Sequence, residues 1–439
     1  MKALPAYPEY KEGGVAWAPR LPAEWADTRL SHVSTIYAGG TPDRTNPNFW
    51  TDGTVPWLNS GSVNDGVITS HSELITQQAA TGSSTRWAHP GSVVVALAGQ
   101  GKTKAMAARL EISSTFNQSM AAIAPNPGLL NYRFLHHWLT SNYQSIRNLA
   151  GGDLRDGLNL QHVGSIQVPL PPLADQVAIA DFLDRETAEI DTFIADQEEL
   201  IALLTERRTA TIIHAVTKGV DPTVPMKNSG IDWLGEVPSH WQIRSVRSVS
   251  AVKRGASPRP IDDPIYFDVE GRWSWVRIQD VSNSHGFLRE TNQRLSDRGA
   301  ALSVKLIPGD LFLSIAGSVG KPCIAGIECC IHDGFVYFPS LDPINTRLLF
   351  HVFESRAPFG GLGKLGTQLN LNTDSVGGIV AAFPPPEEAQ RVLDSLDSSL
   401  STLDATIADA REAIALSKER RTALISAAVT GKIDVRGLA

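Results

Sequence analysis

Three cysteines in 439 residues are few, and Cys323, Cys329 and Cys330 are an odd number in a large chain. That scarcity excludes a disulfide framework and fits a reducing compartment. No run approaches the roughly 18 consecutive apolar residues of a membrane span. The opening MKALPAYPEYKEGG lacks the apolar centre of a secretory signal, so the reading is a cytoplasmic protein with no membrane partner. Basic excess is missing as well: 39 Lys and Arg stand against 46 Asp and Glu, a formal net charge of −7, which excludes a chain-wide basic surface. Catalytic signatures are absent in the same way. No HExxH pair and no GxSxG occurs, and the nearest string to the Asn/Asp-Pro-Pro-aromatic motif of adenine methylation is Asn46-Pro47-Asn48-Phe49, which breaks it. No catalytic residue, metal site or cofactor is assigned to the chain.

What is present is a repeat. YKEGGVAWAPRLPAEW (10–25) aligns without a gap on MKNSGIDWLGEVPSHW (226–241), sharing Trp17/Trp233, Pro22/Pro238 and Trp25/Trp241 at an offset of 216. Further on, ERRTATIIHAVT (206–217) matches ERRTALISAAVT (419–430) at an offset of 213. Weaker echoes lie between, at Pro90-Gly91/Pro308-Gly309, Ala98-Gly99/Ala316-Gly317 and Leu158-Asn159-Leu160/Leu369-Asn370-Leu371. The chain is two copies of one unit, most diverged in the middle of each copy.

Each copy changes texture along its length. Residues 1–172 and 219–386 are rich in turn formers around short apolar runs such as 92–97 and 310–315, which predicts strands with long loops. Helical pieces are predicted around 132–146 and 346–354. After Pro171-Pro172, and again after Pro384-Pro385-Pro386, no proline or glycine appears until Gly219 and Gly431, the expected punctuation of a long helix. In the second such segment Leu396, Leu400, Leu403, Ile407 and Ile414 follow a heptad, and in the first Ile190, Ile194, Ile201 and Leu204 fall in the same register. A helix over 173–218 is about 69 Å long at 1.5 Å per residue, too long to bury its stripe on one domain. Matched phase predicts that the two helices pair, and connectivity makes the pair antiparallel. The expected fold is α+β: two similar domains in tandem (1–172 and 219–386), joined by a long antiparallel two-helix coiled coil (173–218, with 387–439 carrying the second helix and a tail) with pseudo-two-fold symmetry.

Two strings imitate chemistry. ALAGQGKT (96–103) approaches a phosphate-cradling P-loop, but its first glycine is Ala96, and the sister copy reads SIAGSVGKP (314–322), with Pro322 where the metal-binding hydroxyl belongs. Cys329-Cys330-x-His332-Asp333 fits no common zinc spacing, and the first copy holds Phe116-Asn117-Gln118 there. A duplicated nucleotide-binding protein, or a coiled-coil scaffold without DNA reading, remain the competing readings.

The strings MKNSGIDWLGEVPSHW, PLPPLADQVAIADFLD (169–184), ERRTATIIHAVTKGVD and AAVTGKIDV (427–435) resemble the specificity subunit of type I restriction-modification systems, over essentially the whole chain. One local departure is Trp17-Ala-Pro-Arg where the second copy has Trp233-Leu-Gly-Glu. The resemblance implies a non-catalytic subunit of a phage-defence system. Its two target recognition domains each read half of a split sequence in double-stranded DNA. Two modification subunits (adenine N6 DNA methyltransferase) and the restriction subunits (translocase and nuclease) are its partners, and these use S-adenosylmethionine, ATP and Mg2+.

Counted by segment, the net charge is +1 for 1–172, −6 for 173–218, 0 for 219–386 and −2 for 387–439. The acid belongs to the helices, so a basic face on each reader is permitted. Candidate DNA-binding residues, chosen as turn positions able to reach base edges or phosphates, are Thr41, Arg44, Asn59, Ser60, Lys102, Lys104, Asn117 and Gln118 in the first domain. In the second they are Ser257, Arg259, Arg277, Gln279, Ser318, Lys321 and His332. Arg207, Arg208, Arg420 and Arg421 of the repeated ERRTA string are candidates for structural or inter-subunit ion pairs.

Overall fold

A computed structural model describes residues 5–99, 101–149, 157–360 and 371–438; Gln100 and the Leu369-Asn370 echo lie outside the described residues. The chain forms two compact units, Met1–Gln197 with Glu412–Ala439, and Glu198–Arg411. Both dividing points fall inside a long helix, Leu173–Lys218 (α1, 46 residues) or Pro386–Val429 (α2, 44 residues).

Pro386 opens α2 at the position where its missing N–H costs nothing. Gly219 and Gly431 follow the two helices with φ of +73° and +69°, the left-handed cap that glycine adopts without strain. At Gly431 close approach adds to the requirement, since a Cβ there would stand 2.4 Å from Pro22 Cγ.

In the first unit a five-stranded sheet has the order Ser34–Ala38, Met120–Pro125, Ser92–Ala96, Ala107–Leu110, Val67–Ile68. Every residue of SVVVA (92–96) is buried, as a strand covered on both faces requires. Val93 and Val95 pack with Phe134, Leu135 and Trp138 of the helix Tyr132–Ser141, while Val94 and Ala96 face the opposite core with Leu58 and Phe116. Against it lies a four-stranded sheet made of β1 (Val55–Leu58), β2 (Glu73–Ile75), β3 (Arg86–Ala88) and β4 (Ser114–Phe116), ordered β2-β1-β4-β3. Its two central strands are parallel, with Phe116 beside Leu58.

The second unit repeats this. Its five-stranded sheet runs Lys253–Arg254, Phe335–Tyr337, Leu311–Ser314, Pro322–Ala325, Phe287–Leu288. Its four-stranded sheet contains β5 (Trp273–Val276), β6 (Gln293–Leu295), β7 (Val304–Leu306) and β8 (Cys329–Ile331), ordered β6-β5-β8-β7, with β5 and β8 parallel and Val276 beside Ile331.

One helical expectation changes. The run predicted over 132–146 is two helices, Tyr132–Ser141 and Tyr143–Asn148, because the Asn142 amide donates to the Trp138 carbonyl at 2.8 Å and its backbone leaves the helical region. The counterpart in the second unit runs Pro343–Glu354, starting where Asp342 accepts from the Asn345 N–H at 2.9 Å.

Within each unit the two long helices run antiparallel. In the first, Arg421 donates to Asp191 at 3.1 Å, while Ile425, Ala428 and Val429 share a core with Ile179, Phe182 and Leu183. In the second, Arg208 donates to Asp404 at 2.7 Å, and Ile212, Ala215 and Val216 share a core with Val392, Leu396 and Leu400. The two ion pairs are the same contact, displaced by the repeat offset of 213. Of the predicted stripe, Ile190, Ile194, Leu396, Leu400 and Ile407 are buried, and Ile201, Leu204, Leu403 and Ile414 are half-buried.

A second repeated device ties the globular part of each unit to its long helix. Asp184 on α1 accepts from His137 at 2.9 Å, Arg109 at 2.8 Å and Arg133 at 3.1 Å, and Arg133 also meets Asp181 at 2.7 Å. In the other unit Arg347 bridges Asp394 and Asp397, and His351 faces Asp397 at 3.5 Å and Glu354 at 3.0 Å. Burial would raise the Asp184 carboxyl, but the hydrogen bonds from His137 and Arg109 hold it well below the usual range.

Candidate nucleic-acid interface

Parallel pairing decides which turns meet. Because β1 and β4 are parallel, the residues that follow them, Asn59 and Ser60 after one and Asn117 and Gln118 after the other, emerge at the same sheet edge. The loop after Ser34–Ala38 joins them there: Gly40 N–H donates to the Phe116 carbonyl at 2.8 Å and Trp57 Nε1 donates to the Gly40 carbonyl at 3.2 Å. On that loop the Thr41 hydroxyl donates to Gln118 Oε1. Arg44 lies farther along it, paired with Glu73 at 2.6 and 3.0 Å and set over the rings of Trp50 and Trp57 at 3.8 and 4.8 Å. Asn59 Oδ1 caps the next turn through the Gly61 N–H, and Asn117 Oδ1 takes the Ser119 N–H.

The second unit builds the same edge from different side chains. Arg277 follows β5, and His332 and Asp333 follow β8. Ala256 N–H donates to the Ile331 carbonyl at 3.2 Å. Ser257 Oγ donates to Asp333 Oδ1 at 2.8 Å and Arg259 Nη2 to Asp333 Oδ2 at 2.8 Å. The hydrogen bond from Ser257, with the Arg259 charge, lowers the Asp333 carboxyl. His332 is half-buried between Trp275 and Phe335, accepting the Gly334 N–H on Nδ1 at 2.9 Å, and burial lowers its imidazole. Gln279 is exposed on the short helix Ile278–Asn283 beside this edge.

The glycine-rich strings form hairpins beside these edges. The strands on either side, Ser92–Ala96 and Ala107–Leu110, pair antiparallel, and among the described residues no helix N-terminus stands behind the glycines as a P-loop requires. The hairpin is gripped from its own unit: Tyr143 Oη donates to the Lys102 carbonyl at 2.7 Å, and Arg147 donates to the Gly101 and Lys104 carbonyls at 2.8 and 3.0 Å. Lys102 is exposed, while Lys104 is only 5% exposed. In the second unit Lys321 Nζ donates to the Ser282 carbonyl at 2.8 Å and Ser318 meets the Ser282 hydroxyl at 3.2 Å, joining the hairpin to the Ile278–Asn283 helix.

The cysteine string is core. Cys329 and Cys330 are neighbours on one strand and point to opposite faces of the sheet, into separate clusters, so they share no ligand geometry. Burial pushes Cys323 up to about 11 and Cys330 up to about 12. Among the described residues no group of three His, Cys, Asp or Glu is placed to hold a metal ion, and no helix is long and apolar enough to cross a membrane.

Sequence reasoning missed Asp333 and two further contacts on these edges. Ser62 and Ser72 hydroxyls lie 2.6 Å apart in the first unit; Asn292 donates to Asp280 at 3.3 Å at the corresponding place in the second. The signal is an alignment with a gap, because the offset is 218 at Val63/Val281 and 220 at Ile75/Leu295.

Residues 22–201 match the family described as type I restriction modification DNA specificity domain. The chain is 26% identical over 180 residues to the specificity subunit of the type I restriction enzyme EcoR124I/EcoR124II of Escherichia coli, covering 40% of this chain and 42% of that one. It is 24% identical over 442 residues to the specificity subunit of type I restriction enzyme EcoKI of Escherichia coli strain K12, covering 95% and 91%. The match thus spans less than half of the first relative and nearly all of the second. Among solved structures, the HsdS subunit from Thermoanaerobacter tengcongensis superposes with a TM-score of 0.55 at 18% identity, covering 94% of this chain and 98% of that one.

Proposed function

We propose that this chain, which belongs to the family of type I restriction-modification specificity subunits, reads a split DNA sequence, one block with each unit. In this reading the sheet edges described above are the reading faces, and turn residues on them contact base edges and neighbouring phosphates. The observation that carries it is the pair of hydroxyl contacts, Thr41 to Gln118 and Ser257 to Asp333. One backbone frame is built twice and tipped with different polar groups, as two readers of two different blocks require.

The chain itself does no bond chemistry. Adenine N6-methylation from S-adenosylmethionine belongs to modification subunits, two per chain in this reading, since the domain-plus-helix unit itself occurs twice. ATP- and Mg2+-dependent translocation and cleavage belong to restriction subunits, and the complex works in the cytoplasm. Each reader segment is near neutral and α1 is acidic. Much of the sequence-independent phosphate attraction therefore comes from the partner subunits. With both readers on one chain, a site with an altered gap loses contacts at one block.

Selection of bound duplexes from a random pool, using the chain assembled with its modification subunits, tests the proposal. Enrichment of two conserved blocks around a fixed unconserved gap supports it. Enrichment of one continuous block, or of none, contradicts it.

A further inference from the structure

The turns 69–72 and 289–292 hold equivalent places in the two units. Each leaves a strand paired in parallel at the rim of the five-stranded sheet, Val67–Ile68 beside Ala107–Leu110 or Phe287–Leu288 beside Pro322–Ala325. Each then enters β2 or β6, which is antiparallel to β1 or β5, with Glu73 beside Trp57 and Gln293 beside Trp275. That pairing brings the turn to the edge where Asn59 or Arg277 emerges. Its flanks are immobilised by burial: Ile68 and Ile75 are 1% and 0% exposed, and Leu288 and Leu295 are 0% and 1%. Its last residue is tied to the neighbouring turn in both units, Ser72 to Ser62 and Asn292 to Asp280.

Between those fixed ends the chemistry is replaced. The first turn reads Thr-Ser-His-Ser, all exposed, and the second Arg-Glu-Thr-Asn, exposed except for half-buried Thr291. In the second unit the turn separates two open clefts of about 530 and 600 Å3, with Arg289 lining the first, Arg277 the second, and Thr291 and Asn292 both. A tip whose anchors persist through duplication while its side chains are exchanged is where a reader changes what it accepts without refolding.

We propose that the turns 69–72 and 289–292 are specificity-determining elements, each discriminating base pairs in the block read by its own unit. Arg289 matches the O6 and N7 acceptors of guanine, Asn292 suits adenine or a neighbouring polar edge, and the hydroxyls and imidazole of 69–72 make a less committed set. This rests on the reading of the chain as a two-block DNA reader.

The test exchanges tips between copies, which keeps side chains the frame already tolerates. The full chain with Arg289→Thr and Asn292→Ser, and separately with His71→Thr and Ser72→Asn, is co-expressed with its modification subunits, and methyladenine is mapped across the host genome. Each double variant is expected to alter one block, a different block for each variant, leaving the other block and the gap unchanged. Preference for the original bases falls roughly 10- to 100-fold at the affected position, as for a lost base contact. Where methylation drops below detection, selection of bound duplexes with the purified complex gives the same readout. Both variants retaining both blocks overturns the proposal. An unaltered chain that yields no two-block motif overturns the underlying reading instead.

Discussion

The Ser257 hydroxyl donates to the Asp333 carboxylate at 2.8 Å, where the first unit sets Thr41 against Gln118. The contact pins the loop after the first strand of the five-stranded sheet to the turn after β8. It leaves a carboxylate at one candidate edge and an amide at the other. Asp333→Ala removes the acceptor for both Ser257 and Arg259. Because Arg259 is largely exposed, the stability cost is small, about 1 kcal/mol by chemical denaturation, while discrimination in one block of the target falls tenfold or more. A variant that loses several kcal/mol, or that keeps both blocks, contradicts this assignment.

His136 is buried beside His137 and Arg109, and Phe350 stands at its place in the second unit. Burial, then the nearby positive charges, push its imidazole from 6.5 down to about 3. An unfolded chain takes up this proton below about pH 6.5 and the folded chain does not. The stability due to neutral His136 is therefore complete above 6.5 and lost as pH falls towards 3. His136→Phe removes the effect. Between pH 8 and pH 5 the stability difference should shift in favour of the variant by about 2 kcal/mol. Parallel pH curves for variant and parent contradict it.

Arg208 and Arg421 come from the same repeated string and make the same ion pair, yet they differ in surroundings. Arg208 also meets Glu354 at 3.0 Å, a carboxylate that faces His351, whereas Arg421 meets a half-exposed Asp191. Arg208→Ala should cost about 1.5–3 kcal/mol because it strips a charged partner from a mostly buried group. Arg421→Ala should cost about 0.2–1 kcal/mol, as exposed pairs do. Equal losses in thermal or denaturant unfolding would refute the distinction.

The repeat, the two long helices and the strands at 92–96 and 311–314 were legible in the sequence because each rests on local pattern: heptad spacing, a proline before and a glycine after, an apolar run between turn formers. The helix break at Asn142 was not legible, since it depends on one side chain competing for a backbone carbonyl. The brackets around Asp184 and Asp397 were hidden for a different reason. Carboxylates on a long helix look solvated until the arginine and histidine some 50 residues away are folded against them. The candidate interface edges stand between these cases. Thr41, Asn59, Asn117 and Gln118 were chosen from matched positions in the repeat, but their meeting depends on β1 and β4 being parallel. Lys104 shows the limit of composition: a lysine in a glycine-rich string reads as surface, yet it is 5% exposed, on a hairpin whose backbone is held by Arg147.

Mapping methyladenine across the genome of a host that carries this chain with its modification subunits tests the central claim most directly. Two readers on one chain predict a motif of two short blocks, separated by an unconserved gap of constant length, with a methylated adenine in each block. A single uninterrupted motif, a gap of variable length, or methylation without sequence preference would contradict the account.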